Sequence, residues 1–289
     1  MNKYASKLRY SRNAFVKMMI LSAFSLLLLA LPFLSGCSQL QSGAKKEERK
    51  TLSKDLSIYI TSDLHYLSDD INDHGPAFQK YISVGDGKQL QYIEAITDAL
   101  VYEVKQTPPD VLIISGDLTS NGEKESHKDL AKKLKSIEKD GTSVYVIPGN
   151  HDINNPWARG FKKNKQYVTD DVNAKEFLNL YEDFGYKEAI SRDQNTLSYL
   201  VAISKDVWLL MLDTSKYENN KSLGFPQADG AISKGTFDWM AECTKLAYKN
   251  NASIVTVMHH NVLHHSEVIQ DGYTLNNNEQ TKIKLKENQ

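Results

Sequence analysis

Short apolar runs that each stop on the same kinds of polar residue constrain this chain more than any other feature. Ser57-Ile58-Tyr59-Ile60-Thr61 runs into Ser62-Asp63-Leu64-His65, and Val111-Leu112-Ile113-Ile114 runs into Ser115-Gly116-Asp117. Ser143-Val144-Tyr145-Val146-Ile147 is followed by Pro148-Gly149-Asn150-His151-Asp152, and Ser253-Ile254-Val255-Thr256-Val257-Met258 by His259-His260-Asn261. β-Branched runs of this length, bounded by turn residues, read as buried strands. Stretches with helical period lie between them: Leu90 to Val104, stopped by Pro108-Pro109, then Leu130 to Ile137, Ala174 to Phe184 and Lys234 to Lys249. Leu197 to Ile203 and Val207 to Leu212 form a further pair of strands around a Ser204-Lys205-Asp206 turn. The alternation from Asp55 onward predicts an α/β fold, with Val111–Ile114 as a strand covered on both faces. Tyr66 to Lys88 and Asn154 to Tyr167 read as polar loops.

In open α/β sheets the carboxyl ends of the strands are where ligand crevices form. Asp63, His65, Asp117, Asn150, His151 and the His259-His260 pair are therefore expected to converge. Carboxylates and imidazoles with an amide oxygen, and no thiolate, suit Zn, Mn or Fe, and a carboxylate such as Asp117 can bridge two ions. Two ions about 3.5–4 Å apart can clamp both oxygens of an in-line displacement at phosphorus and bring the pKa of bound water from about 15.7 toward 7. Hydroxide then attacks at neutral pH without a nucleophilic side chain.

Taken together, Asp63-Leu64-His65, Gly116-Asp117, Gly149-Asn150-His151-Asp152 and a later strand ending in His resemble the calcineurin-like metallophosphoesterases, over Ser57 to Asn261. The resemblance implies a layered sandwich of mixed β-sheets flanked by helices, and hydrolysis of a small phosphoester, nucleotides included, with two divalent ions. It implies Asp63 and His65 on the first ion, Asp117 bridging, Asn150 and His259 on the second, and His151 meeting the substrate to stabilise the phosphoryl oxygens and protonate the leaving group. Alternation at a strand end lets only one of His259 and His260 face the ions. His259, directly after the strand, is the favoured one, and His260 is the exchangeable alternative. The activity expected is that of a phosphodiesterase, with a phosphomonoesterase of the nucleotidase or acid-phosphatase kind as the runner-up. The family pattern closes with Gly-His-x-His, and this sequence contains none: its last Gly is Gly272 and its last His is His265. The expectation is accordingly a domain at 55–289 that is C-terminally incomplete, and a non-catalytic surface lipoprotein is the reading from a different class.

At the other end, Lys3, Lys7, Arg9, Arg12 and Lys17 precede an apolar run from Met18 to Leu34 that finishes at Ser35-Gly36-Cys37. This has the form of a secretory signal and resembles a bacterial lipobox. It implies a signal peptide at 1–36, acylation of Cys37 (a palmitate-type lipidation), a solvated tether at 37–54 and an extracytoplasmic protein anchored to the cell membrane. With Cys37 acylated, Cys243 has no partner for a disulfide and reads as a small core hydrophobe. Lys+Arg 35 against Asp+Glu 36 gives no signal for nucleic acid. Asp213 reads as a turn-capping acid, His127 as a surface residue in the first turn of a helix, and Asp69, Asp70, Asp73 and His74 as a solvated loop. Asp152 either bonds the turn or orients His151. The basic stretch of Arg159, Lys162, Lys163 and Lys165 with Trp157 is an ordinary charged surface or a contact for a second phosphate or a nucleotide.

Overall fold

A computed structural model describes residues 55–85, 87–264, 266–268 and 272–287. The signal segment, Cys37 and the tether lie outside them. No described helix is long and apolar enough to cross a membrane.

Two sheets carry the fold. The first is parallel, in the order β1 (Ile58–Thr61), β2 (Val111–Ser115), β3 (Ser143–Ile147). Its register sets Ile58 opposite Val111 and Val111 opposite Ser143, so the three tips end side by side. Val111 to Ile114 are all buried, as a central strand requires. β1, at the edge, is less covered, with Tyr59 44% and Ile60 64% exposed. The second sheet is mixed, in the order β6 (Ser191–Arg192), β7 (Tyr199–Ala202), β8 (Val207–Leu212), β9 (Ser253–Met258), with only β8 and β9 parallel.

A core of Ile113, Val146, Phe177, Tyr199, Leu209 and Val257, among others, joins the two sheets, and the Tyr199 hydroxyl donates to the Val146 carbonyl at 2.9 Å. On the first sheet pack α2 (Ile93–Gln106), ended before Pro108, and α3 (Lys124–Glu138), which buries Leu130, Leu134 and Ile137. α4 (Ala174–Leu180) starts at a capping box of Asn173 and Glu176. α5 (Lys234–Lys249), capped by Ser233, covers the second sheet with Phe237, Trp239, Met240 and Cys243. Burial pushes the Cys243 thiol up to about 12, in keeping with an inert core residue. After β9 the described residues hold no further strand, and Asn278–Glu287 is a helix, α6.

Two stretches read as loops contain elements. Within 66–88, Gly75 and Pro76 open α1 (Pro76–Ser83), proline being suited to the first helical position, and Phe78 is fully buried. Within 154–167 the chain forms most of a hairpin, β4 (Arg159–Lys162) with β5 (Lys165–Val168). Lys163 takes the left-handed conformation that reverses the chain, and its N–H donates to Asp73 Oδ2 at 2.7 Å. Phe161 and Phe78 meet edge to face in a small third core with Leu67, Ile71 and Leu90, which is why these polar stretches are ordered.

Candidate metal centre

The strand tips meet at a cavity of about 600 Å³ lined by Asp63, His65, Asp117, Asn150, His151 and His259. Beyond their last ladder bonds, the tips of β1 and β2 stay paired: Asp63 N–H reaches the Gly116 carbonyl at 3.0 Å and His65 N–H the Asp117 carbonyl at 2.9 Å. Asp63, His65 and Asp117 have φ of 55°, 47° and 50°, left-handed conformations that Asp and His tolerate better than most residues. Gly149 is required for a different reason. A Cβ there would overlap the amide nitrogen and Oδ1 of Asp117.

Asp117 is the centre of the arrangement. Its Oδ2 lies 3.6 Å from His65 Nε2 and its Oδ1 lies 3.6 Å from His259 Nε2, so each oxygen faces an imidazole from a different strand tip. These separations exceed a hydrogen bond. Asp63 Oδ1 stands 3.8 Å from His65 Nε2, and the ligand atoms of Asp63, His65 and Asp117 all fall within 4.8 Å of one another. On the other side Asn150 Oδ1 is 3.1 Å from His259 Nε2. The Asp117 side chain is 4% exposed, and burial pushes its carboxyl above the usual range. Among the described residues no Lys or Arg pairs with it. A carboxylate kept dry without a basic partner, facing two imidazole nitrogens, is suited to divalent cations. The residues present therefore fit two such ions.

The histidines are held with different faces toward the cavity. His259 Nδ1 donates to the Ser115 carbonyl at 3.0 Å, which ties β9 to β2 and leaves Nε2 toward Asp117 and Asn150. His260 turns the other way. It is 3% exposed, with Nδ1 2.7 Å from Thr214 Oγ1 and Nε2 3.1 Å from the Ala228 carbonyl, and burial lowers its pKa to about 4. His151 Nδ1 donates to the Ser120 carbonyl at 2.8 Å and to Asn121 Oδ1 at 3.1 Å, while its N–H reaches Asp117 Oδ1 at 2.9 Å. Both Nδ1 partners are acceptors, so Nδ1 carries a proton and Nε2 is left for other contacts.

Asp152 bonds the turn. Its carboxylate accepts from Gly149 N–H at 2.8 Å, Leu118 N–H at 3.1 Å and Thr119 N–H at 2.9 Å, which locks the β3 tip to the β2 tip. Asp213 likewise accepts from Leu197 and Ser215 N–H and from the Tyr217 hydroxyl, away from the cavity. His127 is fully buried rather than on the surface. Its Nδ1 meets the Tyr181 hydroxyl at 2.9 Å and its Nε2 meets the Asp152 carbonyl at 3.0 Å, both partners arriving from distant segments. Asp69 and His74 pair with each other at 2.8 Å and do not line the cavity. Of the basic stretch, none of Arg159, Lys162, Lys163 or Lys165 lines it, whereas Lys88 does. Asn121 and Glu123, close after Asp117 in sequence, were not among the sequence candidates. Only their position in the segment leading from Gly116-Asp117 into α3 could have drawn attention to them.

Among solved structures, 22 chains match this one. They include a dimetal phosphatase from Danio rerio at 12% identity, covering 80% of this chain and 77% of that one, with a TM-score of 0.49. No curated protein is a significant match. The calcineurin-like phosphoesterase profile matches residues 56–289, most of the chain and all of its described part after Asp55. A family profile over that span, on strand tips that gather a two-ion ligand set, has one consequence: the chain belongs to the calcineurin-like phosphoesterases and is a phosphoester hydrolase.

Proposed function

We propose that this protein is a phosphodiesterase with a dinuclear divalent metal centre, in which Asp63 and His65 hold one ion, Asn150 and His259 hold the other, and Asp117 bridges them. The observation that carries the two-ion reading is the division of the Asp117 carboxylate, with Oδ2 toward His65 and Oδ1 toward His259, each at 3.6 Å. Divalent ions bound there supply positive charge to phosphoryl oxygens and acidify water.

The chain's own groups do the rest. Asp152 and the Gly149 close approach keep Asn150 and His151 in place against Asp117. His151 is fixed through Nδ1–H, and in the imidazolium form its Nε2–H can donate to a phosphoryl oxygen and pass its proton to the departing alkoxide, leaving the neutral Nδ1–H ring. The preference for a diester is supported by room. A cavity of about 600 Å³ is within the range of whole small-molecule sites and larger than one phosphoryl group needs, so both substituents of a diester can be accommodated.

Turnover of bis-p-nitrophenyl phosphate and of p-nitrophenyl phosphate by metal-loaded protein tests the preference; faster hydrolysis of the monoester would replace it with a phosphomonoesterase. Elemental analysis of the loaded protein should find close to two ions per chain. We also propose, on the lipobox resemblance, that the enzyme is extracytoplasmic and anchored through Cys37. Labelled palmitate should enter the wild-type protein and not Cys37→Ser, and equal labelling of the two would sink that assignment.

A further inference from the structure

The segment between β2 and α3 holds the two oxygens that fix His151, and it is itself held by a carboxylate that the reaction does not use. Glu123, at the N-terminus of α3, is 1% exposed. Its side chain does not cap the helix but turns back, and Oε2 accepts the Asn121 N–H at 2.9 Å. The Arg159 N–H on β4 also stabilises the carboxylate. Asn121, 5% exposed, then presents Oδ1 to His151 Nδ1 at 3.1 Å, and its Nδ2 lies 3.4 Å from the Tyr81 hydroxyl.

The neighbouring Ser120 donates its own N–H to the Tyr66 carbonyl at 3.0 Å. The Asn121 N–H and the Ser120 carbonyl belong to one planar peptide unit, so Glu123 fixes both acceptors of His151, the Ser120 carbonyl through that plane and the Asn121 side chain through its backbone. A buried carboxylate without a basic partner is expensive to keep, and the charge acting on this one is the repulsive Asp152. Other charged groups near it are Lys124 and Glu125 on its own helix and Asp170 and Asp171 on the chain segment that pairs with it.

We propose that Glu123 is a positioning residue for His151, holding the Ser120–Asn121 peptide so that the Ser120 carbonyl and the Asn121 side-chain oxygen keep the imidazole oriented toward the cavity. The proposal rests on the role given to His151 above. The test is ¹⁵N-histidine NMR with steady-state kinetics on zinc-loaded protein, comparing wild type with Glu123→Asp and Glu123→Gln. Aspartate keeps the charge but is one methylene short of the Asn121 N–H, whereas glutamine keeps the reach and an acceptor oxygen.

In Glu123→Asp the His151 Nδ1–H resonance should shift or broaden and kcat should fall about tenfold, with KM and zinc content at wild-type values. Glu123→Gln should restore both readouts to within about twofold of wild type. A wild-type His151 resonance in Glu123→Asp overturns the proposal, and so does a glutamine variant as impaired as the aspartate one. Should Glu123→Asp not fold, Glu123→Met, apolar and of similar length, carries the same expectation. The NMR readout does not depend on turnover: a protein inactive on both esters whose His151 resonance still responds to position 123 refutes the proposed function and keeps this one.

Discussion

Glutamine at position 123 should stabilise the protein relative to wild type progressively as the pH rises. Burial moves the Glu123 carboxyl from its ordinary 4.5 to about 7, against the opposing effect of the main-chain N–H groups that bond it. The unfolded chain therefore releases this proton near 4.5 and the folded protein near 7, so between those values the folded state binds more protons. Unfolding free energy then decreases with pH. The contribution is fully present below the unfolded value and is lost as the pH rises through the folded one. At about 1.36 kcal/mol for each pH unit, the gap corresponds to about 3 kcal/mol, most of it falling between about pH 5 and about pH 8. Glutamine does not titrate. Urea denaturation of both proteins at those two pH values should show their stability difference moving by about 2 to 3 kcal/mol toward glutamine at the higher one. Changes in metal affinity and in the ionisation of other groups act equally on both proteins and cancel in the double difference. A stability difference that stays constant within about 0.5 kcal/mol would refute the reasoning, because it would mean that this carboxyl titrates alike in the folded and unfolded chains.

Asp117→Ala should lose activity together with bound metal, whereas His151→Ala should lower turnover by about 100-fold with metal retained; elemental analysis beside kcat separates the two, and equal metal loss would contradict the roles given to them. Gly149→Ala forces the Asp117 main chain and carboxylate to move, so metal content should fall even though the substitution adds one methyl group, and an alanine variant with full metal and activity would show that the close approach is dispensable. Tyr199→Phe removes the hydroxyl that bonds the Val146 carbonyl between the sheets and should cost about 1 kcal/mol in denaturant unfolding with kcat unchanged.

The strands that carry the site were legible because their signal is local. Val111 to Ile114 and Ser143 to Ile147 are apolar, β-branched and bounded by turn residues, and the structure places strands there with closely similar bounds. Helix α1 and the β4–β5 hairpin were hidden for the converse reason. Their sequences are mostly polar, and what orders them is a core of five buried residues drawn from segments as far apart as Leu67 and Phe161. His127 shows the same limit at one position. The first turn of a helix rich in lysine reads as surface, but Tyr181 and the Asp152 carbonyl come from 54 and 25 residues away to enclose it. Partners at that distance leave no periodicity for a sequence to display.

At the site itself, residue chemistry and backbone conformation reinforce each other. Left-handed φ at a residue other than glycine costs of order 1–3 kcal/mol, and Asp63, His65 and Asp117 all adopt it within the space of one cavity. Asp and His belong to the few types that tolerate it, so the residues suited to binding divalent ions are also suited to the sharp exits of β1 and β2. Such strain persists only where surrounding bonds outweigh it. Here those bonds are the continued β1–β2 pairing, the three N–H groups on Asp152 and the His259 tie to Ser115. The motif residues were visible in the sequence because their chemistry is. The sequence does not decide the role of Asp152 or mark Glu123, since each works by accepting main-chain N–H groups, a task that no spacing announces. The proposed function divides the labour accordingly: residues at the tips would supply ligand atoms and a proton, and the acids just behind them would fix where those atoms point.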